Sequence, residues 1–273
     1  MNLQDVQALA LAASTEELLA PSAKVAQPVE LSEAEIAEAL LKGDTKSAQL
    51  LKCTEMPEEE AGHCLRVLRL TVGDEVMLTD GKGSFYKAVI SAATNKRCQL
   101  KVIEELPQEK GWTGWLHLAM APTKNMDRTE WFAEKATEIG FDELTFLDCQ
   151  FSERRVIKEE RVDKILVSAM KQSHKAWKPT LNSMVRFREF ITQEREGDKF
   201  ICHCYDENDI EDGGAKPLLF DVIREGVPTT VLVGPEGDFS VEEVRLALQN
   251  GYKSVSLGRS RLRTETAALA AVH

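Results

Sequence analysis

The 273-residue sequence lacks several features that would have assigned it quickly. It has no run of about 18 apolar residues, so no membrane span is expected. Its opening, Met1-Asn2-Leu3-Gln4-Asp5, has neither the basic head nor the apolar core of an export signal, so none is expected. Six scattered cysteines (Cys53, Cys64, Cys98, Cys149, Cys202, Cys204) form neither a disulfide framework nor a zinc-ribbon spacing. Reduced cytoplasmic thiols are the plain reading. In an extended strand Cys202 and Cys204 share one face and His203 points to the other, so no metal site is expected. The nucleotide and hydrolase fingerprints are absent too. No Gly-Lys-Ser/Thr follows the glycine-rich turns, no Gly-x-Gly-x-x-Gly occurs, and no Gly-x-Ser-x-Gly elbow occurs.

An excess of positive charge is also missing. The net charge is -11, which argues at first against a nucleic-acid partner. The distribution changes that reading. Residues 1–60 carry 12 acidic and 4 basic side chains, whereas residues 151–189 carry 10 basic and 5 acidic. A locally basic surface therefore remains available for phosphates. A solvated face is the simpler account of the same run.

Hydrophobic residues make up 43%, enough for a sizeable core and two domains. Residues 1–50 read as short amphipathic helices, an atypical extension or a replaced N-terminus. Ser32 and Glu35 fit a capping box for a helix that Gly43 would stop. Residues 51–106 read as a small β-barrel. Asp80-Gly81-Lys82-Gly83 is turn chemistry between strands, and Cys98, Leu100 and Val102 alternate in another strand. Residues 107–114, with Pro107 and Gly111, read as a linker.

From residue 115 to 273 strands and helices alternate, which predicts an α/β domain with a mostly parallel sheet. Strands are expected at Leu116–Ala121, Leu144–Leu147, Lys199–Tyr205, Thr229–Val233 and Lys253–Leu257. Helices are expected over 126–139 and 159–177, after Ser240, and from Thr264.

Three strand ends carry unusual chemistry. Gly234-Pro235-Glu236-Gly237-Asp238-Phe239-Ser240 is a tight loop before a helix start, where small residues let a ligand approach the backbone. A rigid connection is the structural alternative. In Leu257-Gly258-Arg259-Ser260-Arg261-Leu262-Arg263-Thr264-Glu265-Thr266, three arginines at alternate positions suit phosphate or carboxylate contacts. Glu265 at a helix start is either dipole compensation or a ligand-orienting group, and the arginines beside it favour the second. Ala121-Pro122-Thr123-Lys124-Asn125-Met126-Asp127-Arg128 ends a strand and opens a helix. Surface charge is the alternative for Lys124 and Arg128.

The pattern Gly234-Pro235-Glu236-Gly237, then Leu257-Gly258 and Leu262-Arg263-Thr264-Glu265-Thr266-Ala267, resembles the RsmE family. These are 16S ribosomal RNA (uracil-N3)-methyltransferases of the SPOUT superfamily. Val67-Leu68-Arg69-Leu70, Gly73-Asp74 and Asp80-Gly81-Lys82-Gly83 resemble its N-terminal PUA-like barrel. Glu134–Gly140, Ser152-Glu153-Arg154 and Gln172-Ser173 resemble its catalytic domain. The resemblance runs from about residue 52 to the end. It implies a trefoil-knotted α/β domain, a homodimer, S-adenosylmethionine as methyl donor, and uridine 1498 of 16S rRNA in the small subunit as target.

On that resemblance, the cofactor-binding residues are Leu232, Gly234, Pro235, Glu236, Gly237, Leu257, Gly258, Arg261, Leu262 and Thr266. The catalytic candidates are Arg263, Glu265 and Arg128. Arg66, Arg69, Lys82, Lys87, Lys124, Arg154, Arg155, Lys171 and Lys175 are the RNA-contact candidates.

Departures from the family pattern carry expectations of their own. About 50 unmatched residues precede the His63 motif, so the barrel is expected to lack or replace its first strand. Asp238 stands where the family often has a second glycine, a modest variation. Trp177 and Lys178 would alter the local RNA surface. Ending at His273, the final helix is shorter than is usual, which would weaken cofactor binding or the dimer. Two alternatives stay open: a SPOUT enzyme with another RNA target, and an rRNA-binding assembly protein with impaired catalysis.

Overall fold

A computed structural model describes residues 9–11, 53–94, 97–206, 210 and 215–273. The helix expected over 32–41 lies outside these residues. The chain divides into two compact units: Met1–Glu109 with His174–Trp177, and Lys110–Ser173 with Lys178–His273.

The first unit is an antiparallel sheet. Its strands are β1 (Leu9–Leu11), β2 (Cys53–Glu55), β3 (Glu75–Thr79), β4 (Ser84–Ala93) and β5 (Cys98–Pro107), in the order β1-β3-β4-β5-β2. The short helix α1 (Glu58–Gly62) runs into a π-helical turn, His63–Val67. Val76, Leu78, Ala88, Ile90, Cys98 and Leu100 alternate inward and form the core with Met56, Ala61 and Cys64. No ladder joins β1 to β2 among the described residues. Leu9 pairs with Thr79 and Leu11 with Met77, so an edge strand comes from a segment read as helical.

The second unit is a six-stranded, wholly parallel sheet. Its first elements are β6 (Leu116–Met120), α2 (Met126–Ile139), β7 (Glu143–Asp148), α3 (Glu159–Gln172), β8 (Thr180–Arg186) and α4 (Phe187–Ile191). Then follow β9 (Asp198–Cys202), α5 (Leu219–Val222), β10 (Thr229–Val233), α6 (Val241–Gln249), β11 (Lys253–Val255) and α7 (Thr264–Val272). The strand order is β11-β9-β10-β6-β7-β8. β10 thus inserts between β9 and β6, both of which precede it in the chain.

All five residues of β10 are buried, which accounts for its near-continuous apolar character, Val231-Leu232-Val233 after two threonines. Val231 and Val233 join a core of Leu118, Met120, Phe132 and Phe146 on one face. Leu232 joins Ala119, Leu147, Ile201 and Phe239 on the other. Burying each such branched side chain contributes about 1.5–3 kcal/mol. On the first of these faces, α7 packs against α2, β6 and β10.

Local signals fix the helix ends. Asn125 accepts from the Asp127 amide to start α2, and Gly140, at φ 117°, stops it. Ser240 and Glu243 complete the expected capping box of α6. The helix expected over 159–177 ends at Gln172. The Ser173 hydroxyl bonds the Ala169 carbonyl, and His174 turns to φ 51°, a conformation no helix continues through. Phe132 and Ala136 of α2 are buried, and Ile139 at its end is exposed. Among the described residues no helix is long and apolar enough to cross a membrane, and no group of three His, Cys, Asp or Glu side chains is placed to hold a metal.

Candidate active site

A cleft of about 920 Å³ opens at the C-terminal ends of β9, β10 and β11. In an open α/β sheet, ligands bind beyond the strand carboxyl ends where strand order reverses. Here β7 and β8 lie to one side of β6, and β10, β9 and β11 to the other. Val233, Val255, Leu257 and Leu262 supply apolar walls, and the volume lies within the range usual for small-molecule sites.

The loops around the cleft are braced. The Gly234 position is tight: a Cβ there would come within 3.0 Å of the Phe239 amide nitrogen. Glu236 accepts from the Lys124 amide at 2.9 Å, tying the loop after β10 to the loop after β6. Asp238 takes φ 66°, the conformation that the family's glycine would adopt without strain. Its carboxylate accepts from the Cys204 amide at 2.7 Å and from the Phe239 amide at 2.8 Å, a reason for an acid at that place. Gly258, at φ 128°, has open space where a Cβ would be.

Of the expected cofactor residues, Gly234, Pro235, Glu236, Leu257, Gly258, Arg261 and Leu262 line the cleft. Leu232 does not. Strand alternation sends its side chain into the opposite core, and its neighbour Val233 reaches the cleft. Gly237 lies against Phe151, and Thr266 is exposed on α7 away from the lining. Arg128 and Arg263 line the cleft. Glu265 stands behind it, nearly buried, with one oxygen 3.5 Å from the Arg128 guanidinium. Its other oxygen, Oε2, is buried with no hydrogen-bond partner among the described residues.

Residues 110–273 match the family model of the RNA methyltransferase domain, and residues 57–103 match that of the RNA methyltransferase PUA domain. The ribosomal RNA small subunit methyltransferase E of Aquifex aeolicus is 31% identical over 222 residues, covering 79% of this chain and 90% of the relative. The chain belongs to the ribosomal RNA small subunit methyltransferase E family.

Solved structures agree with membership of the methyltransferase E family. A probable rRNA-methyltransferase from Porphyromonas gingivalis is 42% identical, with a TM-score of 0.74 over 80% of this chain and 90% of its own. A putative methyltransferase from Legionella pneumophila, solved with the cofactor SAM, is 27% identical, with a TM-score of 0.71 over 81% and 90%. A small subunit methyltransferase E from Neisseria gonorrhoeae, bound to S-adenosyl methionine, is 25% identical, with a TM-score of 0.69 over 82% and 90%. The chain is thus an α/β methyltransferase with an N-terminal PUA-like domain.

The expected RNA-contact residues divide by their partners. Lys124 pairs with Glu153 at 2.6 Å, Lys87 lies 3.9 Å from Glu104, and Arg155 pairs with Asp148. Arg154 bonds the Thr123 and Lys124 carbonyls, bracing the loop after β6. Arg66, Arg69 and Lys82 are exposed on the first unit, with Arg69 at φ 59°. Lys175 is half-buried in that unit, as is Lys171 in the second.

Sequence reasoning missed one wall. Cys202, His203, Cys204, Asp206 and Lys216 line the cleft because β9 neighbours β10 in the sheet. The His203 ring meets the Ser254 hydroxyl at 2.9 Å, and Lys216 donates to the His203 and Tyr205 carbonyls. Burial pushes the Cys202 thiol up to about 12, so it stays a neutral wall atom at neutral pH. The available signal was positional. A strand end beside the glycine loop belongs to the site whatever its residue types.

Proposed function

We propose that this chain transfers a methyl group from S-adenosylmethionine to N3 of uridine 1498 of 16S rRNA, in the RNA's numbering, within the small ribosomal subunit. The observation that carries this reading is the convergence of Arg128, Arg263 and the glycine loop on one cleft, backed by a buried carboxylate oxygen with no partner among the described residues, in a member of the methyltransferase E family. The residues fit the cofactor. Leu257, Leu262 and Val233 suit an adenine ring, and Gly234 and Gly258 leave backbone groups approachable. When bound, S-adenosylmethionine supplies an electrophilic methyl on a sulfonium.

The chain's own residues handle the base. Uracil N3 carries a proton and is a poor nucleophile until that proton leaves. Glu265 has one oxygen turned to Arg128 and the other buried behind the cleft without a partner among the described residues, and that oxygen accepts from N3–H once the seated base reaches it. Arg263 offsets the negative charge that grows on the uracil oxygens as the proton departs. Arg128 holds the Glu265 carboxylate in place. No cysteine nucleophile is required for transfer to nitrogen.

Arg66, Arg69, Lys82 and Lys87 set the PUA-like domain against rRNA phosphates, which position without specifying sequence. β10 inserted between two earlier strands, with α7 packed on β6 and β10, supports a SPOUT trefoil knot that holds the cofactor loops. The protein works in the cytoplasm as a homodimer.

The test is to incubate the purified chain with S-adenosylmethionine and unmodified small subunits and to map methylation by mass spectrometry of rRNA fragments. One methyl on N3 of that uridine is expected. A methyl elsewhere in the RNA, or none beside an active relative, overturns the reading.

A further inference from the structure

Five cationic side chains line the cleft: Arg128, Lys216, Arg259, Arg261 and Arg263. Two already have partners. Arg128 faces Glu265, and Lys216 bonds two carbonyls. Arg259, Arg261 and Arg263 have none among the described residues, and all three are exposed. Of the three acids of the wall, Asp206, Glu236 and Asp238, the last two accept from backbone amides across the loops. They hold the scaffold.

S-adenosylmethionine does not account for three unpaired guanidiniums. It bears one carboxylate against an ammonium and a sulfonium, so its net charge is positive. It can satisfy one arginine, and the rest would repel it. In the second unit, the expected RNA contacts Lys124, Arg154 and Arg155 are already spent on Glu153, two carbonyls and Asp148. A phosphate would have to break those contacts first. The loop after β11 needs no such exchange.

We infer that Arg259 is a phosphate-binding residue of the cleft mouth, gripping the RNA backbone beside the target nucleotide while Arg261 and Arg263 serve cofactor and base. This rests on the rRNA-methyltransferase reading above. An exposed, unpaired guanidinium offers a planar donor fork that fits phosphate oxygens and costs no internal bond. Its place beside Arg261 and Arg263 couples that grip to the reacting centre.

The test compares the full chain with Arg259→Gln and Arg259→Lys, using unmodified small subunits with S-adenosylhomocysteine present. Binding is measured across a KCl series. Loss of one phosphate contact lowers the slope of log affinity against log salt by about 0.7. Arg259→Gln should show that change and a several-fold rise in KM for subunits, with little change in kcat. Its affinity for S-adenosylhomocysteine should stay within about twofold. Arg259→Lys should recover most of the slope, because a point charge still displaces a counterion. Coincident slopes for wild type and Arg259→Gln would overturn the inference, as would an equal loss of cofactor affinity. If the wild type binds subunits but transfers no methyl group, the proposed function fails and the slopes still decide the role of Arg259. If it methylates normally and the slopes coincide, only that role fails.

Discussion

The two ends of the parallel sheet use polar residues in opposite ways. At the C-terminal end, Arg259, Arg261 and Arg263 stay exposed around the cleft with no partner among the described residues, and Glu265 keeps a buried oxygen likewise without one. At the N-terminal end, His117 at the start of β6 is buried in a hydrogen-bonded network. Its Nε2 meets the Thr145 hydroxyl at 2.8 Å, and Asn182 donates to both Thr145 and Glu143. The His117 ring stands edge-on to Phe190, and the Arg195 guanidinium lies 3.8 Å over that aromatic ring. One end pairs most of its polar groups internally, Arg195 Nε and the Tyr252 hydroxyl excepted, and serves stability. The other leaves them unsatisfied for a ligand, so one sheet separates cohesion from chemistry.

The largest break in that contrast should come from Arg263→Ala. Single-turnover methylation should slow by about 10²–10³-fold, equivalent to ~3–4 kcal/mol of transition-state stabilisation. Thermal stability and cofactor affinity should hardly move, because the side chain is exposed and makes no bond among the described residues. An equal loss of cofactor affinity would move Arg263 from catalysis to binding.

The opposite end should answer to pH. Burial pushes the His117 imidazole down to about 4 from its ordinary 6.5, aided by Arg195 and opposed by Glu143. Between those values the unfolded chain takes up a proton that the folded chain refuses. Stability therefore falls as pH drops from about 6.5 to about 4 and levels off below, with about 3 kcal/mol at stake. Urea unfolding at pH 7 and pH 4.5 measures it. His117→Gln should lose less over that interval than the wild type. Equal losses would mean that other groups carry the acid response.

The smallest effect sharpens the contrast on the ligand side. Asp238→Gly relieves a left-handed residue at φ 66° but removes acceptors for the Cys204 and Phe239 amides. Each term is about 1 kcal/mol and the signs oppose, so unfolding free energy should shift by less than about 1 kcal/mol. Cofactor affinity is the more sensitive readout, since the carboxylate ties two walls of the cleft together. A loss there above about tenfold would make Asp238 part of the binding site.

Legibility in the sequence followed the range of the interactions. The five-residue run of β10, the Ser240–Glu243 capping box and the stop at Gly140 are local, and each could be read from neighbouring residues. Ser173 and His174 ended α3 early because a hydroxyl and a left-handed residue left no apolar gap in the pattern. Leu9–Leu11 became a strand through pairing with Met77–Thr79, a partner nearly 70 residues away that no local period reveals. The loops after β10 and β11 announced themselves by glycine and arginine. The wall after β9 did not, since its membership depends on strand order rather than residue type. The roles of Arg128 and Glu265 as a pair likewise needed two distant helix starts to meet.

The position of β10 also bears on how the protein is made. Residues 116–202 leave the ribosome before the strand that must lie between β6 and β9 exists. Until residues 229–233 arrive, β9 has no partner linking it to β6, and its backbone edge is open to other chains. The cleft comes later still, because the loop after β11 and the start of α7 complete its wall. Long-range parallel pairing of this kind is slow, since the intervening loop must close before any contact rewards it. Until residues 229–233 are made, a nascent chain of this protein has a gap in its sheet and no complete cleft, and a chaperone that shields that edge would raise its yield in the cell.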